Sequence, residues 1–447
     1  MFYNTTRDQS IQKTFAEIVL ASNAPCGGLY IPTQLPNITT KDFQGMQYSE
    51  IAEKIISIFT EIPQNDIENI VEKSLINFTT HRVFEKKVLE PNLFVAELFH
   101  GPTLSFKDYP MQFLGNIIEY TLSQTGKKLN ILTATSGDTG SAAIHAFAEK
   151  ENIKIIVLHP KGKITEFQRK QMTTVHAKNV LNIAIDGTFD DCQNIVKEIT
   201  NQQNSNISTV NSINWGRIMM QMVYYIKLLC DTKSPLNIFV PTGNFGNIFA
   251  CYFLKKCGFD GIKKLYISNN ANDTILNVHK NGIIANKKTI HTLSPAMDIS
   301  IPSNFERMLY LEIQNDKEVK LMYNNIAQGE DVKIHQTLLN NIQKHFGVSS
   351  VTDTQTLETI RNIYTKYNYI IDPHTAVAFT HYFTEKPQAD SMIISTAHPC
   401  KFEKAVQMST KQTVLIPQNN SDITLKEEKL EFSDKATVNQ LIADFFS

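Results

Sequence analysis

The sequence predicts an α/β protein of more than one domain, on three observations. From Leu93 onward, short β-rich runs alternate with longer helical ones, the pattern of a mainly parallel sheet covered by helices. Most of the short runs are continuously apolar rather than alternating, as in strands buried on both faces. And 447 residues exceed what a single hydrophobic core normally organises.

In chain order, the first eighty or so residues read as helical. Ile11, Phe15, Ile18 and Val19 recur at helix spacing, as do Ile51, Ile55, Ile58, Phe59 and Ile62. Between them, Gly27–Pro32 reads as a turn into a short extended piece. The predicted strands are Leu93–Leu98, Leu129–Thr133, Lys154–Leu158, Leu236–Val240 and Ser391–Ser395. The predicted helices are Met111–Leu122, Ser141–Lys150, Phe189–Ile199, Ile218–Leu229 and Asn247–Lys256. Asn- and Lys-rich pieces between Asn281 and Asp353 read as surface insertions, and Glu427-Glu428-Lys429 as a solvated face. These divisions predict a mainly helical region over 1–92, an α/β domain over 93–230, and a second α/β domain over 231–447 with an insertion near 281–353.

Composition narrows the function. Apolar residues make up 42% and charged residues 19%, which excludes wholesale disorder. Lys and Arg number 43 against 44 Asp and Glu, so nothing predicts a nucleic-acid partner, and small, locally recognised ligands are expected. Six cysteines without C-x-x-C spacing point to free thiols in a reducing compartment. The N-terminus has no signal-peptide core, and the apolar stretches are too short to span a bilayer. A soluble, cytoplasmic protein with no membrane partner is expected.

Two strand-to-helix junctions are rich in small residues: Ala134–Ser141, containing Thr135-Ser136-Gly137-Asp138-Thr139, and Val240–Asn247, containing Gly243-Asn244-Phe245-Gly246-Asn247. Such loops let backbone N–H groups converge at a helix N-terminus, where the local field favours an anion. Neither is a Walker A loop or G-x-G-x-x-G. A third junction, Phe99–Asp108, carries Lys107 between apolar neighbours. Alone it reads as a solvated lysine in a helical first turn. If buried, its amine becomes a nucleophile for a carbonyl. A reactive lysine together with a phosphate cup is what pyridoxal 5'-phosphate requires. Thr396, straight after a predicted strand, could face the cofactor ring or belong to a simple turn. Asp372, His374 and His398 have metal-ligand chemistry without a spacing that defines a site, and Asp372–Thr375 reads equally as a helix start; no metal is expected.

The segments jointly resemble the threonine synthase family. Glu97–Asp108 looks like its cofactor-lysine segment, and Ala134–Ser141 its T-S-G-D-T-G loop. Asn211–Asn214 looks like its N-S-I-N segment, and Pro241–Asn247 its phosphate loop. Asn272–Thr274, Ala296–Asp298, Pro373–Ala378 and Thr396–Pro399 follow in family order. Gly28–Pro32 is similar to the larger bacterial and fungal branch.

The resemblance implies a fold-type II pyridoxal phosphate enzyme, similar to the tryptophan synthase β subunit, with two α/β domains and the cofactor in the cleft. It implies conversion of O-phospho-L-homoserine and water to L-threonine and phosphate. It implies Lys107 as the lysine that carries the cofactor, Gly243, Asn244, Phe245, Gly246 and Asn247 around the cofactor phosphate, and Thr396 at the pyridine nitrogen. Such a substrate needs two further anion sites. The loop Thr135, Ser136, Gly137, Asp138 and Thr139 is the expected carboxylate site, with Asp138 capping a helix that starts at Thr139. Arg217, ahead of Lys161 and Lys163, is the expected cation for the substrate phosphate, helped by Asn214. The rivals are a serine or threonine dehydratase and a non-catalytic relative. A monomer or homodimer is expected.

Overall fold

A computed structural model of the chain describes all residues except 22, 80–82, 201–206, 233, 418–422, 424, 428–429 and 433. The N-terminal region is a small antiparallel sheet with helices, not helices alone. Strands β1 (Tyr3–Thr5), β2 (Asp8–Lys13) and β3 (Tyr30–Pro32) pair in the order β2-β1-β3. Ile11 therefore lies in β2, while Phe15, Ile18 and Val19 form the buried stripe of α1 (Phe15–Leu20), which Thr14 and Glu17 close with a capping box. Helix spacing misleads at Ile11 because a strand's partner is nonlocal and leaves no trace in the local period. The expected turn stands, with Gly27 at φ +77° ahead of β3. Helix α2 (Tyr48–Phe59) buries Ile51, Ile55 and Phe59, and α3 (Gln64–Leu75) follows.

The chain then alternates. Strand β4 (Glu85–Glu90) turns into β5 (Leu93–Glu97), and a ten-residue connection over 98–107 leads to α4 (Asp108–Thr125). Next come β6 (Leu129–Ala134), α5 (Asp138–Phe147), β7 (Ile153–Pro160), α6 (Glu166–Thr173), β8 (Val180–Ile185), α7 (Phe189–Thr200), β9 (Ile207–Ser208) and α8 (Trp215–Cys230). The later half runs β10 (Leu236–Pro241), α9 (Gly246–Lys256), β11 (Ile262–Asn269), α10 (Thr274–Asn281), β12 (Ile283–Ile284), α11 (Phe305–Ile313), α12 (Asp316–Ala327), β13 (Val332–Lys333), α13 (Gln336–His345) and β14 (Phe346–Ser350). It ends with α14 (Asp353–Tyr367), α15 (Pro373–Glu385), β15 (Ser391–Ser395), α16 (Glu403–Thr410), β16 (Leu430–Phe432) and α17 (Lys435–Phe446).

Two sheets organise this series. One has the order β14-β11-β10-β15-β5-β4 and is parallel except for β4; the other, β16-β8-β7-β6-β9, is parallel throughout. Strand β5 sits in the sheet of the later half, and β16 returns to the earlier one, so the spans 93–230 and 231–447 each lend a strand to the other's sheet. The continuous apolar runs are explained by two-sided burial. Ile238 and Val240 of β10 join the main core while Phe239 joins a second cluster with α14 and α15. Ile155 and Val157 of β7 likewise face the main core, and Ile156 and Leu158 face a cluster with α7 and α17.

The stretch from Asn281 to Asp353 is not a set of surface insertions. It contains β14, the edge strand of the six-stranded sheet, and Arg307, fully buried, which donates to the carbonyls of Tyr30 and Ile213. Its exposed polar residues lie on the outer faces of α12 and α13 and in irregular segments such as Asn286-Lys287-Lys288. Glu427 is half-buried and pairs with Arg169, so it is no solvated face; residues 428 and 429 lie outside the described residues. Among the described residues no helix is long and apolar enough to cross a membrane.

Candidate active site

The connection between β5 and α4 is shaped by Asp108. Its carboxylate accepts from Thr103 N at 2.9 Å, from Thr103 Oγ1 at 2.6 Å and from Ser105 N at 3.4 Å, winding the segment into a turn. The same segment lies against the chain beyond β15. Phe106 N donates to Thr396 O at 2.8 Å and His398 N to Leu104 O at 3.0 Å. Lys107 and Thr396, far apart in sequence, are thereby brought together.

Lys107 occupies the N-cap position of α4, and only 9% of it is exposed. Its Nζ lies 4.9 Å from the centroid of the Phe106 ring and donates to Asp138 Oδ2 at 3.2 Å. Burial pushes the Lys107 amine below the ordinary lysine range. Asp138 opposes that shift, and the positive charges of Lys401 and Arg217 add to it. An amine in this state is a nucleophile and a base nearer neutrality than a solvated lysine.

The first small-residue loop is held by Thr135, whose Oγ1 accepts from Gly137 N at 3.0 Å and Gly140 N at 2.8 Å. Gly137 has φ +130°, which an L side chain rarely adopts. The backbone N–H groups of Ser136, Asp138 and Thr139 donate to nothing among the described residues. Asp138 does not cap a helix starting at Thr139. The helix starts at Asp138 itself, behind Gly137. Its carboxylate turns instead to Lys107, to Lys401 Nζ at 2.8 Å and to Gln168 Nε2 at 2.8 Å. Burial alone would raise this carboxyl, but the two lysines outweigh it and hold it well below the usual carboxylate range.

The second loop joins β10 to α9. Phe245 takes the left-handed conformation at φ +65° as the N-cap, which turns the chain so that the N–H groups of Gly243, Asn244, Phe245, Gly246 and Asn247 converge without a partner among the described residues. A Cβ on Gly243 would stand 2.4 Å from Ala296 O, so only glycine fits. Asn304 braces the loop by donating to Asn244 O. Asn247 Oδ1 accepts from Tyr224 at 2.8 Å and Tyr225 at 2.7 Å, and Tyr224 packs on Tyr109 of α4 at 5.7 Å. Helix α8 thus ties the cup to the helix that Lys107 caps.

Arg217 of α8 is 3% exposed. Its Nη1 donates to Val210 O at 3.2 Å, its Nε has no partner, and no carboxylate pairs with it among the described residues. Burial pushes this guanidinium down to about 10. Asn214 is placed differently from the expectation. Its Oδ1 caps α8 through Gly216 N at 2.9 Å and its Nδ2 donates to Val19 O at 3.0 Å, so its polar atoms hold the fold. Lys161 is in a surface pair with Glu431, and Lys163 is exposed. Asp372 caps α15 and accepts from His374 Nδ1 at 2.7 Å, the helix-start alternative. Thr396 is buried, and its hydroxyl makes no hydrogen bond among the described residues. Sequence reasoning missed Lys401, whose one signal is a lysine inside the otherwise apolar turn Pro399–Phe402.

These residues fit pyridoxal phosphate: a buried amine of lowered basicity, an uncharged cup whose N–H groups have no partner among the described residues, and the buried hydroxyl of Thr396, on the segment whose backbone pairs with that of Phe106. Comparison with known proteins agrees. Residues 80–321 match the family model described as pyridoxal-phosphate dependent enzyme, 2–75 that of the threonine synthase N terminus, and 375–443 that of the threonine synthase C-terminal region. Threonine synthase of Pseudomonas aeruginosa is 37% identical over 96% of this chain and 95% of its own. That of Saccharomyces cerevisiae is 36% identical over 98% and 96%. The crystal structure of pyridoxal phosphate-bound threonine synthase from Brucella melitensis superposes with a TM-score of 0.95 at 35% identity, covering 100% of this chain and 99% of that one. The chain belongs to the threonine synthase family of pyridoxal-phosphate-dependent enzymes, with the fold-type II architecture.

Proposed function

We propose that this chain converts O-phospho-L-homoserine and water into L-threonine and phosphate, with Lys107 as the residue that carries the cofactor. The observation that carries the reading is the Lys107 amine, enclosed, lowered in basicity, and paired with Asp138 of the loop after β6, in a chain whose two helix-opening loops leave N–H groups without partners among the described residues. Gly243, Asn244, Phe245, Gly246 and Asn247 hold the cofactor phosphate through backbone N–H groups, in the field of the α9 N-terminus. Thr396 offers its free hydroxyl to the ring nitrogen. When bound, the cofactor supplies an electron sink for the carbanion left when Cα loses its proton.

The remaining work falls to this chain's residues. Ser136, Asp138 and Thr139 offer N–H groups to the substrate carboxylate, while the Asp138 carboxylate stays turned to the lysines and does not repel it. Arg217, which lacks an acid partner, takes the substrate phosphate. That pairing repays the burial of a lone guanidinium. Lys107 takes the proton from Cα and hands it to the substrate phosphate, then takes one from Cβ; the Cγ–O bond breaks, phosphate leaves with its proton, and Lys107 gives the Cβ proton to Cγ. Water adds its hydroxyl at Cβ, and the proton that water gives up passes through Lys107 to Cα. A base at neutral pH must have lost much of an ordinary lysine's basicity, as burial provides here. The groups assigned here all come from one chain, so a monomer or a homodimer serves equally. Six free thiols fit a reducing, cytoplasmic compartment.

The dehydratase reading uses the same lysine and the same cup. The unpaired Arg217 favours a phosphorylated substrate over serine. The test is an assay of phosphate release from O-phosphohomoserine with threonine as product, beside keto-acid formation from serine. Phosphate and threonine are expected; keto acid alone would reject the proposal. The purified protein should be yellow and borohydride should fix the cofactor to Lys107. Lys107→Ala should remove the colour and lower turnover by on the order of 10³-fold or more. A colourless wild type that takes up no added cofactor identifies the non-catalytic rival.

A further inference from the structure

Reading Lys107 as the cofactor lysine leaves a buried ion close to it, Lys401, without a role. Lys401 is 1% exposed, in the turn that follows β15. Its ammonium donates to Thr103 O at 2.7 Å and pairs with Asp138 Oδ1 at 2.8 Å. The other oxygen of that carboxylate, Oδ2, is the one that meets Lys107 at 3.2 Å. One carboxylate thus stands between two ammonium groups. Thr103 belongs to the connection before Lys107, Asp138 to the loop after β6 of the other sheet, and Lys401 to the turn after β15. The lysine therefore joins three segments that meet nowhere else in sequence. A buried ion pair is weak evidence for stability, because apolar side chains of similar volume fill such a place as well or better. A charge held here calls for a use.

We infer that Lys401 is a positioning residue for Lys107: by holding Oδ1 of Asp138 it presents Oδ2 to the cofactor lysine and adds a second positive charge to that lysine's surroundings. The inference rests on the reading of Lys107 as cofactor carrier. The charged groups that face Lys107 are Asp138 from α5, Arg217 from α8 and Lys401 from the turn after β15. Asp108 of α4 is turned to Thr103 and Ser105, and His374 of α15 acts on Asp138. One anion against two neighbouring cations favours a neutral Lys107 amine. Without Lys401, Gln168 Nε2 still donates to Oδ1 but Lys107 is the one lysine left on the Asp138 carboxylate, and Lys107 holds its proton more firmly.

The test uses the full chain freed of cofactor. The rate at which added pyridoxal phosphate attaches to Lys107 is followed by the visible band as a function of pH, since only the neutral amine attacks the carbonyl. In Lys401→Met the midpoint should move to higher pH by about one unit, which slows attachment about tenfold at a fixed pH below the midpoint. Lys401→Arg should restore it. If the Met variant does not fold, Lys401→Gln keeps a donor for Thr103 O without the charge, and the same upward shift is expected. A merely structural lysine would lower Tm and leave the midpoint in place. An unchanged midpoint in either folded, uncharged variant overturns the inference. A wild type that attaches nothing at Lys107 overturns the underlying reading instead.

Discussion

The two small-residue loops look alike in sequence and differ in physics. Both follow a parallel strand, open a helix and leave backbone N–H groups without partners among the described residues. The loop after β6 is nevertheless organised by side chains: Thr135 clamps Gly137 and Gly140, and Asp138 anchors two buried lysines. In the loop after β10 no side chain is charged, and the left-handed Phe245 and the close approach of Gly243 to Ala296 O make its cup. The lesson is that an anion cup can be made by backbone shape alone. A cup that must also manage a lysine's proton needs charge.

Neutralising the charged loop should have the largest effect on the fold. Asp138→Asn leaves Lys107 and Lys401 buried without a counter-ion, for an expected loss of about 3 kcal/mol in urea unfolding of the cofactor-free chain. The pH dependence follows from the same group. Its folded value lies below its unfolded one, so its stabilisation is present above the ordinary carboxylate range and is lost as pH falls toward the folded value. The acid side of the wild-type stability curve should therefore be steeper than that of Asp138→Asn. Equal slopes would show that the carboxylate is not held by the lysines.

The backbone loop should break by steric means instead. Gly243→Ala places a Cβ 2.4 Å from Ala296 O, and cofactor affinity should drop by roughly 100-fold with a loss of about 1–3 kcal/mol in stability. An Ala variant with unchanged affinity would mean that Gly243 does not shape the cup. Arg217→Met separates substrate from fold. KM for the phosphorylated substrate should rise by roughly 10- to 100-fold, from the loss of a charged hydrogen bond, while Tm holds or rises because an unpaired buried charge is gone. The smallest effect belongs to Asn214→Ala, about 1 kcal/mol of stability from the lost cap with little change in KM. A large KM effect there would return Asn214 to the substrate.

The parts legible in sequence are those with a local cause. Continuous apolar runs marked the strands because each is buried on both faces, and the glycine junctions marked both cups because backbone conformation is set by neighbouring residues. Arg217 could be singled out by its chemistry and its place after Asn211–Asn214. The rest depended on distant partners. Ile11 followed a helical period and entered a strand, and the polar stretch after Asn281 yielded the edge strand β14 and the buried Arg307. Asp138 looked like a helix cap because the two lysines that claim it lie 31 residues before it and far beyond it along the chain.

By itself, then, the sequence determined the α/β class, the two helix-opening cups and the candidate lysine ahead of them, since each arises from residue size, φ preference and local polarity. Only the tertiary structure decided how basic that lysine is, which atom Asp138 presents to it, and that Lys401 shares the carboxylate. Those depend on burial and on charge–charge distance, and both are properties of what the folded chain brings together rather than of neighbours along it.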